Sequence, residues 1–174
     1  MTHTSKPNAA ILRRFRRVLG LFMLGLILSG VTAFPLQHEL DRLVAMCGLA
    51  MATPADTHTG FDHWILTVRE GLRDSYARYP WIAYGTDWLA FAHLIVAVFF
   101  IGPLVNPVRN VWVLWAGLTA CVTVIPLAMV CGAIREIPFG WRLIDCSFGV
   151  CGAIPLIYCL RLVRSLETMP ASGQ

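Results

Sequence analysis

Charge is what this sequence has least of. Asp, Glu, Lys and Arg make up only 14% of its 174 residues, where a soluble globular domain carries about 25%. Hydrophobic residues account for 57% and mean hydropathy is +0.65. Too few polar side chains remain to coat a water-soluble globule of this length. Catalytic signatures are missing as well. There is no Cys-x-x-Cys, no His-Glu-x-x-His and no Gly-x-Ser-x-Gly, which removes the thioredoxin-like, metalloprotease and hydrolase templates. The chain also lacks a dinucleotide or P-loop glycine pattern, an internal repeat and a low-complexity tract. The net charge of +4 does not signal nucleic acid, because Lys6, Arg13, Arg14, Arg16 and Arg17 precede the first apolar run and Arg161 and Arg164 close the last. Those are the places where a membrane protein keeps its cytoplasmic positive charge.

What the sequence does have is long apolar stretches. They predict spans at Val18–Pro35, Trp88–Val105, Val111–Ala133 and Trp141–Leu160, each close to the ~20 residues that cross ~30 Å of hydrocarbon. Helices are required, since open strands would leave backbone groups unpaired in lipid. The fold class expected is all-α: a transmembrane four-helix bundle, one membrane domain over residues 1–174, with the long loop 36–86 outside the cytoplasm. Arg109, in the turn Asn106-Pro-Val-Arg-Asn110, places that turn inside together with both termini. The loop carries Glu39, Asp41, Asp56, Asp62, Glu70 and Asp74 against Arg42, Arg69, Arg73 and Arg78, so it has no positive excess. The basic start, the apolar core Val18–Leu28 and the small residues of Ser-Gly-Val-Thr-Ala33 also fit a cleaved signal peptide, which would leave three spans with the same sidedness. The apolar run continues through Phe34 and Leu36, and Ser29 and Ala33 stand four apart as a packing face requires, which favours an uncleaved helix.

Within the loop, Phe61, Trp64, Ile65, Val68, Leu72 and Tyr76 recur at helical spacing, with Arg69, Glu70, Arg73 and Asp74 between them. This predicts an amphipathic helix on the outer membrane face, weakened by Gly71 and ended by Pro80. A second short helix is expected over His38–Met51, joined to the first by the Thr-, Pro- and Asp-rich stretch Ala52–Gly60.

The candidate site is polar and lies toward the outer side. Asp145 begins a stripe that continues through Gly149 and Gly152 to Leu156, and His93 shares a face with Thr86, Ala90 and Ala97. Small residues let helices approach, so both ionisable groups should face a neighbouring helix. Asp87 opens the second span, His38 and Glu39 follow the first, and Arg135, Glu136 and Arg142 occupy the turn between the last two. Two readings stand side by side: a ligand or catalytic site around Asp87, His93, Arg135 and Asp145, with Glu39 and His38 at its rim, or an ion-pair network that staples helix ends. An Arg135–Asp145 pair would belong to the second.

A haem would need His93 and His38 at matching depth. A metal could draw on His58, Asp62 and His63 with His93 or Glu39, although His58-x4-His63 matches no strong ligand motif. No metal site and no cofactor is assigned from these residues. Of the six cysteines, Cys121, Cys151 and Cys159 fall inside spans as packing residues, Cys131 and Cys146 near the outer ends of adjacent helices invite a disulfide, and Cys47 competes with them. Trp88, Trp112, Trp115 and Trp141 stand near span ends as interfacial anchors.

The segments Tyr79-Pro-Trp-Ile-Ala-Tyr-Gly-Thr-Asp-Trp-Leu-Ala-Phe-Ala-His93, Asn106-Pro-Val-Arg-Asn-Val-Trp112 and Trp141-Arg-Leu-Ile-Asp-Cys-Ser-Phe-Gly149 resemble a group of small bacterial four-helix integral membrane proteins of uncharacterised activity. The resemblance covers roughly the C-terminal half. It implies a bacterial cytoplasmic membrane and carries over no activity, ligand or catalytic residue. Three functional classes follow in order: an accessory protein or small-ligand binder with lipid, a protein partner or a second copy as its company; a membrane-embedded enzyme or redox, haem or metal protein using His93 and nearby carboxylates; and a small-solute transporter, which four spans without inverted-repeat signs seldom support.

Overall fold

Hydrogen bonding and hydropathy mark different lengths on this chain. The computed structural model describes residues 6–56 and 60–168, with side chains from Asn8 onward, and among them every regular element is helical. In order these are α1 (Lys6–Ala33), α2 (Leu36–Met46), a single 3-10 turn (Pro54–Asp56), α3 (Gly60–Arg78), α4 (Pro80–Phe99), α5 (Ile101–Val105), α6 (Val111–Ile134) and α7 (Phe139–Thr168). Four segments are long and apolar enough to cross a membrane: Asn8–Ala33, Pro80–Val105, Val111–Ile134 and Phe139–Thr168. Most begin or end well beyond the apolar runs. α1 takes in Arg13, Arg14, Arg16 and Arg17, and α7 continues through Arg161 and Arg164. α4 starts at Pro80 rather than Trp88 because proline suits a first helical position, where its fixed φ is helical and its missing N–H would be unpaired anyway. Large apolar side chains on these segments point outward, among them Leu21, Trp88, Leu127 and Phe148. Lipid is the medium that such a surface suits.

The chain divides into two compact units, Met1–Gly25 with Ala97–Gln174, and Leu26–Val96. In the first, α6 and α7 pack where side chains are absent. A Cβ on Gly149 would overlap the Cys121 carbonyl oxygen and Val124, and one on Gly152 would meet the Cys121 sulfur at 2.8 Å. Leu156, on the same stripe of α7, is fully buried and touches the space beside Gly117 together with Phe100. Phe22 of α1 meets the Phe100 ring edge to face at 5.0 Å. The turn after α5 is held from within: Asn110 Nδ2 donates to the carbonyls of Gly102 (3.1 Å) and Asn106 (3.0 Å), and Arg16 Nε donates to Leu104 O at 3.2 Å. Pro103 has no N–H to offer the preceding turn, which is why α4 and α5 are separate helices within one apolar segment.

α6 ends in a six-to-one closure, Ile137 N–H to Gly132 O at 2.9 Å, with Glu136 in the left-handed region at φ 57°. Arg142 lies flat across Gly132, and its Nε donates to Ile137 O at 2.8 Å. This arginine, not Arg135, secures the turn. The sequence suggested a disulfide between Cys131 and Cys146, and it is not formed: both are free thiols. Cys146 is buried with its Sγ 3.9 Å from the Ile125 carbonyl, about 9 Å along the helix from Cys131 at 1.5 Å per residue. The two sulfurs stand at different levels.

The second unit holds the end of α1, α2, α3 and most of α4. Pro35 closes α1 and starts α2, accepting from Glu39 N at 3.0 Å. Asp41 on α2 and Arg73 on α3 pair at 2.7 Å, and Tyr76 on α3 and Thr86 on α4 share a hydrogen bond of 3.1 Å. Since Thr86 donates to Ala83 O, Tyr76 is the donor to Thr86. Ile65 and Leu66 are fully buried on α3. Arg69, which the helical pattern put on the polar face, is buried beside them at 6% exposure. It got there because the segment after α2 leaves carbonyls without partners: Arg69 Nη1 donates to Ala50 O and Nη2 to Ala52 O.

Candidate binding site

In the Leu26–Val96 unit α1 and α4 approach closely at Gly30. A Cβ there would lie 2.9 Å from Ala90 O, 3.0 Å from Leu94 Cδ2 and 3.2 Å from His93 Cβ. A single glycine on α1 thus lets the backbones of α1 and α4 nearly touch. About one helical turn along from this contact, Phe34 follows the end of α1 and α4 carries large side chains. Beside it lies a shallow, open groove of about 300 Å³ lined by Phe34, Tyr84, Asp87, Trp88 and Phe91. Four of its five walls are aromatic. The Tyr84 and Trp88 rings stand edge to face, centroids 6.0 Å apart at 87°. Spacing explains the lining: Tyr84, Asp87, Trp88 and Phe91 are three or four residues apart and so share one face of α4.

Asp87 is the only charge in this wall, and among the described residues its carboxylate has no hydrogen bond and no ion pair. The other sequence candidates in this unit are engaged elsewhere or stand apart from the groove lining. His93 receives Gly30 against its Cβ, while its Nδ1 donates to Leu89 O at 3.0 Å. That bond fixes the ring against its own helix and leaves Nε2 as the ring position open to a further partner. Glu39 pairs with Arg42 at 3.0 Å on the same helix, and His38 is exposed on α2.

Arg135 and Asp145 belong to the other unit. Among the described residues no ion pair joins them. Arg135 is the exposed C-cap of α6, and Asp145 is half-buried in the second turn of α7. Of the metal candidates, His58 lies outside the described residues, and His63 Nδ1 donates to Pro54 O at 3.2 Å. No three His, Cys, Asp or Glu side chains gather as a metal site among the described residues. Asp56, at the 3-10 turn, accepts from Thr53 N at 2.6 Å and Thr53 Oγ1 at 2.9 Å, and these bonds hold its carboxyl below the usual carboxylate range.

The aromatic lining is what sequence reasoning missed. In the sequence Trp88 reads as an interfacial anchor and Phe34 as the continuation of the first apolar run, and nothing there gathers them with Tyr84 and Phe91. The signal was present as aromatics at i, i+4 and i+7 around an aspartate on one helix, but only the neighbouring α1 turns that stripe into a groove. No protein-family model, curated protein or solved structure matches the chain.

Proposed function

We propose that the protein is a multi-pass protein of a bacterial cytoplasmic membrane that binds a small ligand at the outer ends of its spans. The observation that carries this reading is the groove with Asp87 in its wall. Surface aromatics alone are ordinary near a membrane interface. A carboxylate on the same face as three of them, with no hydrogen bond or ion pair among the described residues, sets this groove apart from ordinary interfacial aromatics. Catalysis has no comparable support, because the lining holds no histidine, cysteine, lysine or second carboxylate beside Asp87.

The proposed orientation has both termini and the Asn106–Asn110 turn in the cytoplasm, and α2 and α3 outside. Arg13, Arg14, Arg16, Arg17, Arg109, Arg161 and Arg164 support it by the positive-inside rule. In a background lacking native cysteines, a membrane-impermeant maleimide should label Asp56→Cys in intact cells and miss Arg109→Cys. The opposite pattern inverts the proposal. Binding is tested by native mass spectrometry of the purified full-length protein: a small molecule should co-purify and be lost in Trp88→Leu. A Soret band or stoichiometric metal in the same sample would instead move the role toward His93 and redox or metal chemistry.

A further inference from the structure

We infer that the ligand of this groove is the ammonium headgroup of a zwitterionic phospholipid, an inference that rests on the binding role proposed above. The groove supplies both halves of what recognises an organic cation. Tyr84, Trp88, Phe34 and Phe91 present aromatic rings, whose faces carry negative quadrupole density and attract alkylammonium ions, with tryptophan the strongest. Asp87 adds a full negative charge with no arginine or lysine in the lining to neutralise it. An anionic ligand would meet that carboxylate and be repelled. A neutral apolar ligand would leave it stranded.

Position selects a lipid over a dissolved amine. Phe34 lies immediately past the end of one candidate span, Asn8–Ala33, and Tyr84 to Phe91 occupy the first half of the next, Pro80–Val105. Tyr79, Trp81, Tyr84 and Trp88 are all half exposed or more along this end of α4, which sets the groove at the level where phospholipid headgroups sit. In the same unit, Ile27 and Val31 on α1 and Ile95 on α4 are exposed apolar side chains along which acyl chains can lie. A lipid is also delivered there by the bilayer itself, at an effective concentration no dilute solute matches.

The test uses the full-length protein, delipidated in detergent and offered phosphatidylethanolamine, phosphatidylcholine or phosphatidylglycerol of identical acyl chains, with retention read by native mass spectrometry. The two ammonium lipids should be retained at least about tenfold over phosphatidylglycerol, which is about 1.4 kcal/mol. Asp87→Asn, nearly the same size, should abolish that preference while helix content by circular dichroism is unchanged. Trp88→Leu should weaken it, and Trp112→Leu, an end-of-span tryptophan in the other unit, should not. Equal retention of all three lipids, or a preference that survives Asp87→Asn, overturns the inference. So does tetramethylammonium chloride binding where ammonium lipid does not, since the ligand would then be a soluble amine. A neutral or anionic molecule that binds and is lost in Trp88→Leu would overturn the ammonium assignment and leave the binding role standing. Loss of no ligand of any kind in either groove variant would overturn both.

Discussion

Gly30 of α1 faces the carbonyl oxygen of Ala90 on α4 so closely that a Cβ would stand 2.9 Å from it. The neighbour is backbone, which cannot swing aside, so any larger residue must push the helices apart. Gly30→Ala should therefore destabilise the protein by about 1–3 kcal/mol, the usual penalty of overpacking. Gly20 and Gly25 lie on the same helix with nothing within 4 Å. Alanine at either should be neutral or stabilising by up to about 1 kcal/mol, since glycine is the poorer helix former. Thermal unfolding of the three variants in one detergent checks the contrast, and equal effects would remove the close crossing.

Arg69 makes a second stability forecast. Its guanidinium bonds the carbonyls of Ala50 and Ala52, so truncation leaves acceptors unpaired, at about 1–3 kcal/mol for each group left buried without a partner. Arg69→Ala should lower the melting temperature and open the segment between α2 and α3 to protease. Arg69→Lys should rescue little, because one ammonium cannot reproduce a fork that spans two carbonyls. An unchanged cleavage pattern would contradict this role.

Glu136 and Gly48 end their helices with the same six-to-one closure, Ile137 N–H to Gly132 O and Leu49 N–H to Val44 O, both at 2.9 Å. Gly48 takes φ 75° freely, whereas Glu136 holds φ 57° with a Cβ. Glu136→Gly should stabilise by about 1 kcal/mol by releasing that strain. The reciprocal change Gly48→Glu should destabilise by a similar amount. Chemical or thermal unfolding of the two variants reads the pair, and effects of like sign would rule out this account.

Asp56 gives the 3-10 turn a pH dependence. Its bonds from Thr53 lower the carboxyl's affinity for protons in the folded chain relative to the ordinary value of 3.8. The contribution is therefore fully present above that value, and is lost as pH falls through the lower folded one. Amide exchange at Thr53 to Asp56 should rise in acid, corrected for the intrinsic rate, and Asp56→Asn should flatten the profile. The same acid dependence in Asp56→Asn would assign it to another group.

The four long apolar helices were legible because lipid demands long runs with few charges, a signal that survives without knowledge of contacts. Their ends were not, since Arg13 to Arg17, Pro80 to Asp87 and Arg161 to Thr168 are helical beyond the long apolar runs. Gly149 and Gly152 were legible as contact positions, because small residues on a stripe have few other uses in a span. Arg69 escaped for the opposite reason: arginine ordinarily faces water, and only the unpaired carbonyls of a distant segment explain its burial. For the site, Asp87 could be picked out as a charge near apolar sequence, but its aromatic company depends on Phe34, which the sequence places far away. The pairing imagined for Arg135 and Asp145 assumed that two charges near one turn must meet. Arg142 holds that turn instead, through a backbone carbonyl that no residue pattern displays.

The contact between Cys159 Sγ and the Phe15 carbonyl, at 4.0 Å, joins residues 144 positions apart. The unit made of Met1–Gly25 and Ala97–Gln174 therefore cannot close before Cys159 has been made. α6 and α7 are separated only by the turn from Arg135 to Pro138 and can zip together as a hairpin once α7 emerges, because their contacts are local in sequence. α1 has no such neighbour close in sequence, and its Phe15 and Leu19, both fully buried in the finished protein, lack the Cys159 contact until α7 has been made. A newborn chain halted before Cys159 would present those side chains to whatever insertion machinery or chaperone attends it, and α7 is the helix that relieves that dependence.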